Sequence, residues 1–210
     1  SDIYVGGTFT ATADGQVPNL NGIARVHAGQ WQALPDNGLN GSVTALAVIG
    51  SDIYAGGEFT GTASGALANQ LNYVAVLSGG AWQPLAHNGL NWDVRALAAH
   101  NGDLYAGGFF DQSADGSVKD LNAVARYSGG AWQALPNKGL FNFFILHCCF
   151  VDAFAFDGND LVVGGVFTAT DDFTVQNLGG LARLSGGAWS ALPNQGLGLD
   201  QPFPHFVHSL

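Results

Sequence analysis

Oxygen-bearing side chains recur at alternate positions in residues 111–120, in the order expected for the front half of a calcium-binding loop. The candidate ligands are Asp111, Ser113, Asp115 and Asp120. A full EF-hand would carry a glutamate where Asn122 stands, and no helix signals flank this loop. The other repeats of the chain carry similar polar loops, which is also typical of a structural loop closed by an Asp-Gly turn. Calcium binding and a plain structural loop are therefore the two interpretations.

An apolar insertion, residues 141–150, contrasts with the glycine-rich remainder of the chain. His147 and the adjacent Cys148 and Cys149 could bind a soft metal, or the two cysteines could form a strained vicinal disulfide. A hydrophobic plug over one end of the fold is the alternative. An exposed apolar tip would also offer Phe143, Phe144 and His147 as contacts for a ligand or partner.

A third candidate site begins at Trp92 and Asp93, which stand where the preceding repeat has Gly41 and Ser42. An exposed tryptophan beside a carboxylate suits carbohydrate, because the ring stacks on the sugar while the acid accepts hydrogen bonds. A tryptophan buried in the core is the competing interpretation.

Arg95 and Asp152 occupy equivalent positions in successive repeats, and we expect them to pair near the centre of the fold. The same alignment places Thr44 and Pro204 at this position in the other repeats. The pair is either a structural ion pair or a clamp for a ligand.

Composition limits the partners of this chain. Its 210 residues are 47% apolar and only 10% charged, with a net charge of −10. Such a chain cannot neutralise a row of phosphates, which argues against nucleic acid and anionic membranes as partners. The longest apolar run, residues 141–151, is too short to cross a bilayer, so we expect no membrane insertion. Few lysines and many Gly, Asn and Thr residues favour an extracellular or cell-surface location.

The elements that position these candidates come from a fourfold repeat. Tryptophans in a Gly-x-Trp-x-x-Leu phrase recur at intervals of about 50 residues, and so do Gly-Gly pairs that follow an apolar run. The tryptophans are Trp31, Trp82, Trp132 and Trp189, and we expect all four to lie in the core. Each repeat predicts four strands joined by two tight turns and two longer loops.

Four antiparallel strands per repeat are typical of a β-propeller blade, so we predict an all-β chain folded as one propeller domain. The predicted blades are residues 1–35 with 200–210, 43–86, 93–136, and 150–193. Four blades, with the C-terminal strand completing the N-terminal blade, is the favoured arrangement, because the repeat spacing is preserved across the two ends. Part of a larger ring, or an eight-bladed ring shared by two chains, is the alternative.

The repeat phrases Gly-Gly-x-Phe-Thr, Asn-x-Ile-Ala-Arg and Gly-x-Trp-x-x-Leu cover nearly the whole chain. They resemble Kelch-type repeats and are closest to repeats of bacterial cell-surface proteins and fungal cortical landmark ectodomains. The resemblance implies a β-propeller and an extracellular recognition or adhesion role.

Sequence motifs for catalysis are missing. There is no nucleophile elbow, zinc-protease motif or phosphate loop, and acids such as Glu58 have no evident partner. Neither the Tyr-Cys-His set of a Kelch-type copper oxidase nor the arginine cluster of a sialidase can be assembled. We therefore predict a non-catalytic extracellular binding or adhesion module for a glycan or a protein, using its long-loop face. A structural repeat of a larger surface protein is the alternative, and a Kelch-type enzyme is a third.

Overall fold

A computed structural model describes residues 2–141, 149–197, 207 and 209–210. This part of the chain confirms the prediction of an all-β protein built mainly from four-stranded antiparallel sheets. Four sheets follow one another along the chain, and within each the strands pair in sequence order. The described residues include no helix long and apolar enough to cross a membrane.

The bounds of the strands follow the repeat. The first sheet contains β1 (Ile3–Gly6), β2 (Ile23–His27) and β3 (Gln30–Ala33). The second contains β4 (Val43–Ile49), β5 (Asp52–Gly57), β6 (Val74–Ser78) and β7 (Ala81–Pro84). The third contains β8 (Val94–His100), β9 (Asp103–Gly108), β10 (Val124–Ser128) and β11 (Ala131–Ala134). The fourth contains β13 (Phe150–Asp157), β14 (Asp160–Val166), β16 (Leu181–Ser185) and β17 (Ala188–Ala191).

Short elements complete the loops. The two-residue strands β12 (Leu140–Phe141) and β15 (Ala169–Thr170) pair with each other. A 3-10 turn follows the last strand of each of the four larger sheets, at Pro35–Asn37, Ala86–Asn88, Pro136–Lys138 and Pro193–Gln195.

The Gly-Gly pairs allow one sheet to lie on the next. A Cβ at Gly56 would stand 2.5 Å from Val94 Cγ1, and one at Gly107 would stand 2.6 Å from Val151 Cγ1. Because real Cβ atoms essentially never approach so closely, only glycine permits the first strand of the following sheet to pack there. The Gly-Gly pairs are therefore a packing requirement between successive sheets.

The same contact shows where the end of the chain lies. A Cβ at Gly164 would stand 2.6 Å from Val207 Cγ1, so Val207 takes the place that Val94 and Val151 take on their preceding sheets. Pro204, which the alignment of the repeats places level with Arg95, lies outside the described residues.

The repeating tryptophans are not all in the core. Trp82, Trp132 and Trp189 are 3%, 4% and 5% exposed, whereas Trp31 is 42% exposed. Each buried tryptophan packs with leucines that flank the 3-10 turn of the preceding sheet, and Trp189 Nε1 also donates to the Pro136 carbonyl at 2.9 Å. The expectation of a buried Trp31 is wrong for this structure, because in its described part no preceding sheet covers that ring.

Candidate functional site

The candidate surface is the face on which the long loops of neighbouring sheets clamp one another. The Ala63 amide donates to the Gly38 carbonyl at 3.0 Å, and the Ser64 amide donates to the Asp36 carbonyl at 2.9 Å. Between the next two sheets, the Ala114 amide donates the equivalent bond to the Gly89 carbonyl at 3.1 Å. Backbone bonds between sheets hold these loops in place, so side chains on this face project from a fixed frame.

A β-bulge positions Arg95 and Asp152. The pairing register of β8 shifts between Val94 and Ala96, and that of β13 shifts between Val151 and Ala153. Arg95 and Asp152 are the extra residues, and bulges commonly redirect a side chain. The Arg95 Nε donates a hydrogen bond to Asp152 Oδ1 across the two sheets.

The surroundings of this ion pair are aromatic. The guanidinium carbon of Arg95 lies 5.5 Å from the Phe109 ring centroid and 5.0 Å from that of Phe150. The Asp152 side chain is only 5% exposed. A partly buried pair that also makes cation–π contacts holds the third sheet against the fourth, which is the structural interpretation of Arg95 and Asp152.

Trp92 and Asp93 lie at the start of β8 on the same face. Trp92 is 58% exposed, which makes it the most exposed of the five tryptophans. Burial, followed by the nearby negative charge of Glu58, raises the pKa of Asp93, and the Arg95 guanidinium opposes the shift. Trp92 is thus followed in the chain by a carboxylate, Asp93, that the nearby charge of Glu58 repels.

Glu58 is a residue whose place in the site could not be derived from the sequence. It follows β5 in the second sheet, whereas Asp93 precedes β8 in the third. The signal that could have shown the juxtaposition is the packing of Gly56 on Val94, which brings these strand ends together.

The proposed calcium ligands are engaged in hydrogen bonds within the protein. Asp115 Oδ1 accepts from Ser113 Oγ at 2.7 Å and from the Ser117 amide at 3.0 Å. The Val118 amide in turn donates to Ser113 Oγ at 3.0 Å. Hydrogen bonds from Ser117, and then from Ser113, lower the pKa of Asp115 well below its usual range. These bonds stabilise the loop.

The remaining two carboxylates of this set point to other partners. Asp111 Oδ1 accepts from Asn91 Nδ2 at 2.6 Å, and Asp120 Oδ1 lies 3.9 Å from Lys138 Nζ. Within the described part of the chain, no group of three or more His, Cys, Asp and Glu side chains is placed to hold a metal ion. Thr170 and Asp172 form the same loop bond at 2.8 Å in the next repeat, so the pattern serves loop structure in both.

His87 was missed from sequence. Its Nδ1 lies 2.9 Å from Asp115 Oδ2 and 2.8 Å from Ser117 Oγ, so a residue of the second sheet's 3-10 turn clamps the loop of the third sheet. Asn137 holds Asp172 in the same way at 3.0 Å. Aligning the residues that follow Leu34, Leu85, Leu135 and Leu192 would have identified this position.

Of the insertion, the structure describes Phe141, Cys149 and Phe150. Phe143, Phe144, His147 and Cys148 lie outside the described residues. Cys149 carries a free thiol, and burial, reinforced by the charge of Asp171, raises its pKa. A thiol that stays protonated at neutral pH is a poor metal ligand and a poor nucleophile.

No protein-family model matches this sequence, and no curated protein matches it significantly. The similarity to Kelch-type repeats therefore depends on the repeat phrases themselves.

Proposed function

We propose that the four sheets are blades of a four-bladed β-propeller, closed when the C-terminal strand completes the first sheet. The packing of the chain end supports this. Val207 and Leu210 lie over Gly164 as Val94 and Leu97 lie over Gly56. The last residues thus occupy the position of the first strand of a following sheet.

Two exposed apolar surfaces at the ends of the series support the same proposal. On the first sheet, Trp31 lacks the cover that its three equivalents have. On the fourth, Leu197 is 50% exposed, whereas the equivalent Leu39 and Leu90 are at most 1% exposed. Between neighbouring sheets, the leucine after the 3-10 turn packs in one cluster with the tryptophan of the next sheet, as Leu39 does with Trp82 and Leu90 with Trp132. Leu197 and Trp31 are the corresponding two residues at the ends of the series.

The polar residues at these ends also match. Asn137 of one sheet donates to Asp172 of the next at 3.0 Å. At the equivalent positions of the two end sheets stand Asn194 and Asp14. Closure would repeat this bond with the same pair of residue types.

We also propose that the chain is a non-catalytic binding module, extracellular or at a cell surface, which recognises a glycan or a protein partner on its long-loop face. The observation that carries this proposal is the exposed Trp92 beside Asp93 and Glu58. Three of the repeating tryptophans are buried, so an exposed ring on a clamped loop face is distinctive. Exposed aromatic side chains flanked by polar groups are typical of recognition surfaces.

Arrays of glycans and of surface proteins, probed with the whole chain and with Trp92→Ala, test this function. We expect a ligand that binds the whole chain saturably, no longer binds Trp92→Ala and still binds Val48→Ala. Val48 is 56% exposed on β4 and serves as the matched exposed-apolar control. Equal binding by all three proteins, or no ligand at all, would contradict the assignment to this face and favour a structural repeat of a larger surface protein.

A further inference from the structure

A cleft of about 850 Å³ opens on the loop face above the first sheet. Its walls are the loop that follows β1 and the segment that leads into β4, and Glu58 closes one side. Phe9, Leu39 and Val43 contribute apolar surface to it. The volume is in the range of small-molecule binding sites, which is roughly 300–1,000 Å³.

Two glycines keep this cleft open. Gly22 and Gly41 line it, and the equivalent residues at the junction of the second and third sheets are Tyr73 and Trp92. A Cβ at Gly41 would already stand 2.6 Å from the Glu58 carbonyl oxygen. At the junction of the third and fourth sheets, where Ala123 and Cys149 stand at these positions, the corresponding cavity is about 270 Å³. The cavity above the first sheet is thus larger because glycine stands at both positions.

The polar groups of the cleft are available for a ligand. Among the described residues, the hydroxyls of Thr8, Thr10 and Ser42 form no hydrogen bond with the protein, and neither does the Glu58 carboxylate. Three hydroxyls can both donate and accept, and the carboxylate accepts. Asn40, by contrast, is held by Thr60 and Gly61 and serves as a fixed wall.

We propose that this cleft binds a neutral sugar residue, with hydroxyl groups of the ligand bonded to Glu58, Ser42 and Thr8. A sugar offers many hydroxyls on its rim and an apolar C–H face, which matches polar walls that include the aromatic side chain of Phe9. This inference rests on the proposed binding function and makes its ligand class specific. Glu58 also lies near Asp93, so the cleft adjoins the Trp92 surface.

Saturation-transfer NMR with methyl glycosides of glucose, galactose, mannose and N-acetylglucosamine tests the cleft. We expect at least one glycoside to bind, and Glu58→Gln to weaken it about tenfold because a charge-assisted hydrogen bond is lost. The double variant Thr8→Val/Ser42→Ala should weaken it to a similar extent. The matched control, Ser51→Ala in the turn between β4 and β5, should bind as the parent chain does.

The outcomes separate this inference from the proposed function. Binding of a glycoside that depends on Trp92 but is unchanged in both cleft variants would overturn the cleft and leave the binding module intact. Methyl glucosaminide is added to the panel as a cationic probe, and its binding without that of the N-acetylglucosamine glycoside would overturn the neutral-sugar assignment. Failure of every glycoside to bind overturns it also, whether or not the arrays identify a protein partner. Circular dichroism and melting of each variant identify any that fails to fold, in which case Ser42→Ala alone replaces the double variant.

Discussion

Cysteines placed at Asp14 and Asn194 test the closure of the ring directly. The internal model for this pair is Asn137 and Asp172, where the Asp172 amide donates to the Asn137 carbonyl at 3.4 Å in addition to the side-chain bond. Backbones this close suit a disulfide, whose Cα atoms are typically about 4.4–6.8 Å apart. If the first and fourth sheets meet as proposed, Asp14→Cys/Asn194→Cys will oxidise within one chain, and Asn137→Cys/Asp172→Cys is the matched internal control.

The expected stabilisation follows from the loop that each bridge closes. The seam bridge would enclose roughly 180 residues and the control bridge roughly 36, which corresponds to about 5 and about 4 kcal/mol in the chain-entropy model. Both variants are made in a Cys148→Ser/Cys149→Ala background so that no native thiol competes. Urea unfolding with and without reductant measures the stabilisation, and non-reducing electrophoresis distinguishes a bridge within one chain from one between two chains.

The result that would refute closure is specific. If the internal control oxidises while the seam pair stays reduced, the first and fourth sheets do not meet. A disulfide-linked dimer from the seam pair would instead indicate a ring shared by two chains. Light scattering of the parent chain over a range of concentrations gives an independent answer, because a closed four-bladed ring remains a monomer of 21.7 kDa.

Three further predictions concern individual side chains. Asp93→Asn should stabilise the fold at neutral pH but not below pH 4. Burial and the charge of Glu58 raise the pKa of Asp93, so the folded state loses stability as the pH rises and Asp93 ionises. Urea unfolding at both pH values measures the difference. Asp152→Ala should lower the free energy of unfolding by about 1–3 kcal/mol, since it leaves the partly buried Arg95 charge without this carboxylate. In a double-mutant cycle, adding Arg95→Met should recover part of the loss. Additive effects of the two substitutions would contradict a coupled pair. In a Cys148→Ser background, Cys149 should react with a thiol reagent only on unfolding, because its raised pKa keeps it protonated, and fast labelling of the folded protein would contradict this.

Local order along the chain could be predicted from sequence because strands and tight turns depend on neighbouring residues. The residues from Asp52 to Phe59 predict a strand, and β5 runs from Asp52 to Gly57. The turn at Asn101 and Gly102 has positive φ values of 52° and 85°, as the Asn-Gly pair predicts for a primed hairpin. Repetition also allowed one contact between sheets to be anticipated, since Arg95 and Asp152 occupy the same position in successive repeats.

Tertiary structure alone decided which side chains are exposed and which loops meet. Trp31 and Trp82 occur in similar phrases, yet one is 42% exposed and the other 3%, because exposure depends on the sheet that lies against each ring. Burial, and then the charge of Glu58, which is distant in sequence, raise the pKa of Asp93, and His87 acquires its role from a loop of the next sheet. The open cleft likewise arises where Gly22 and Gly41 come together across two loops. Sequence by itself determined the repeated strand pattern, because a strand is specified by its own residues, whereas a binding surface is specified by residues that only folding brings into contact.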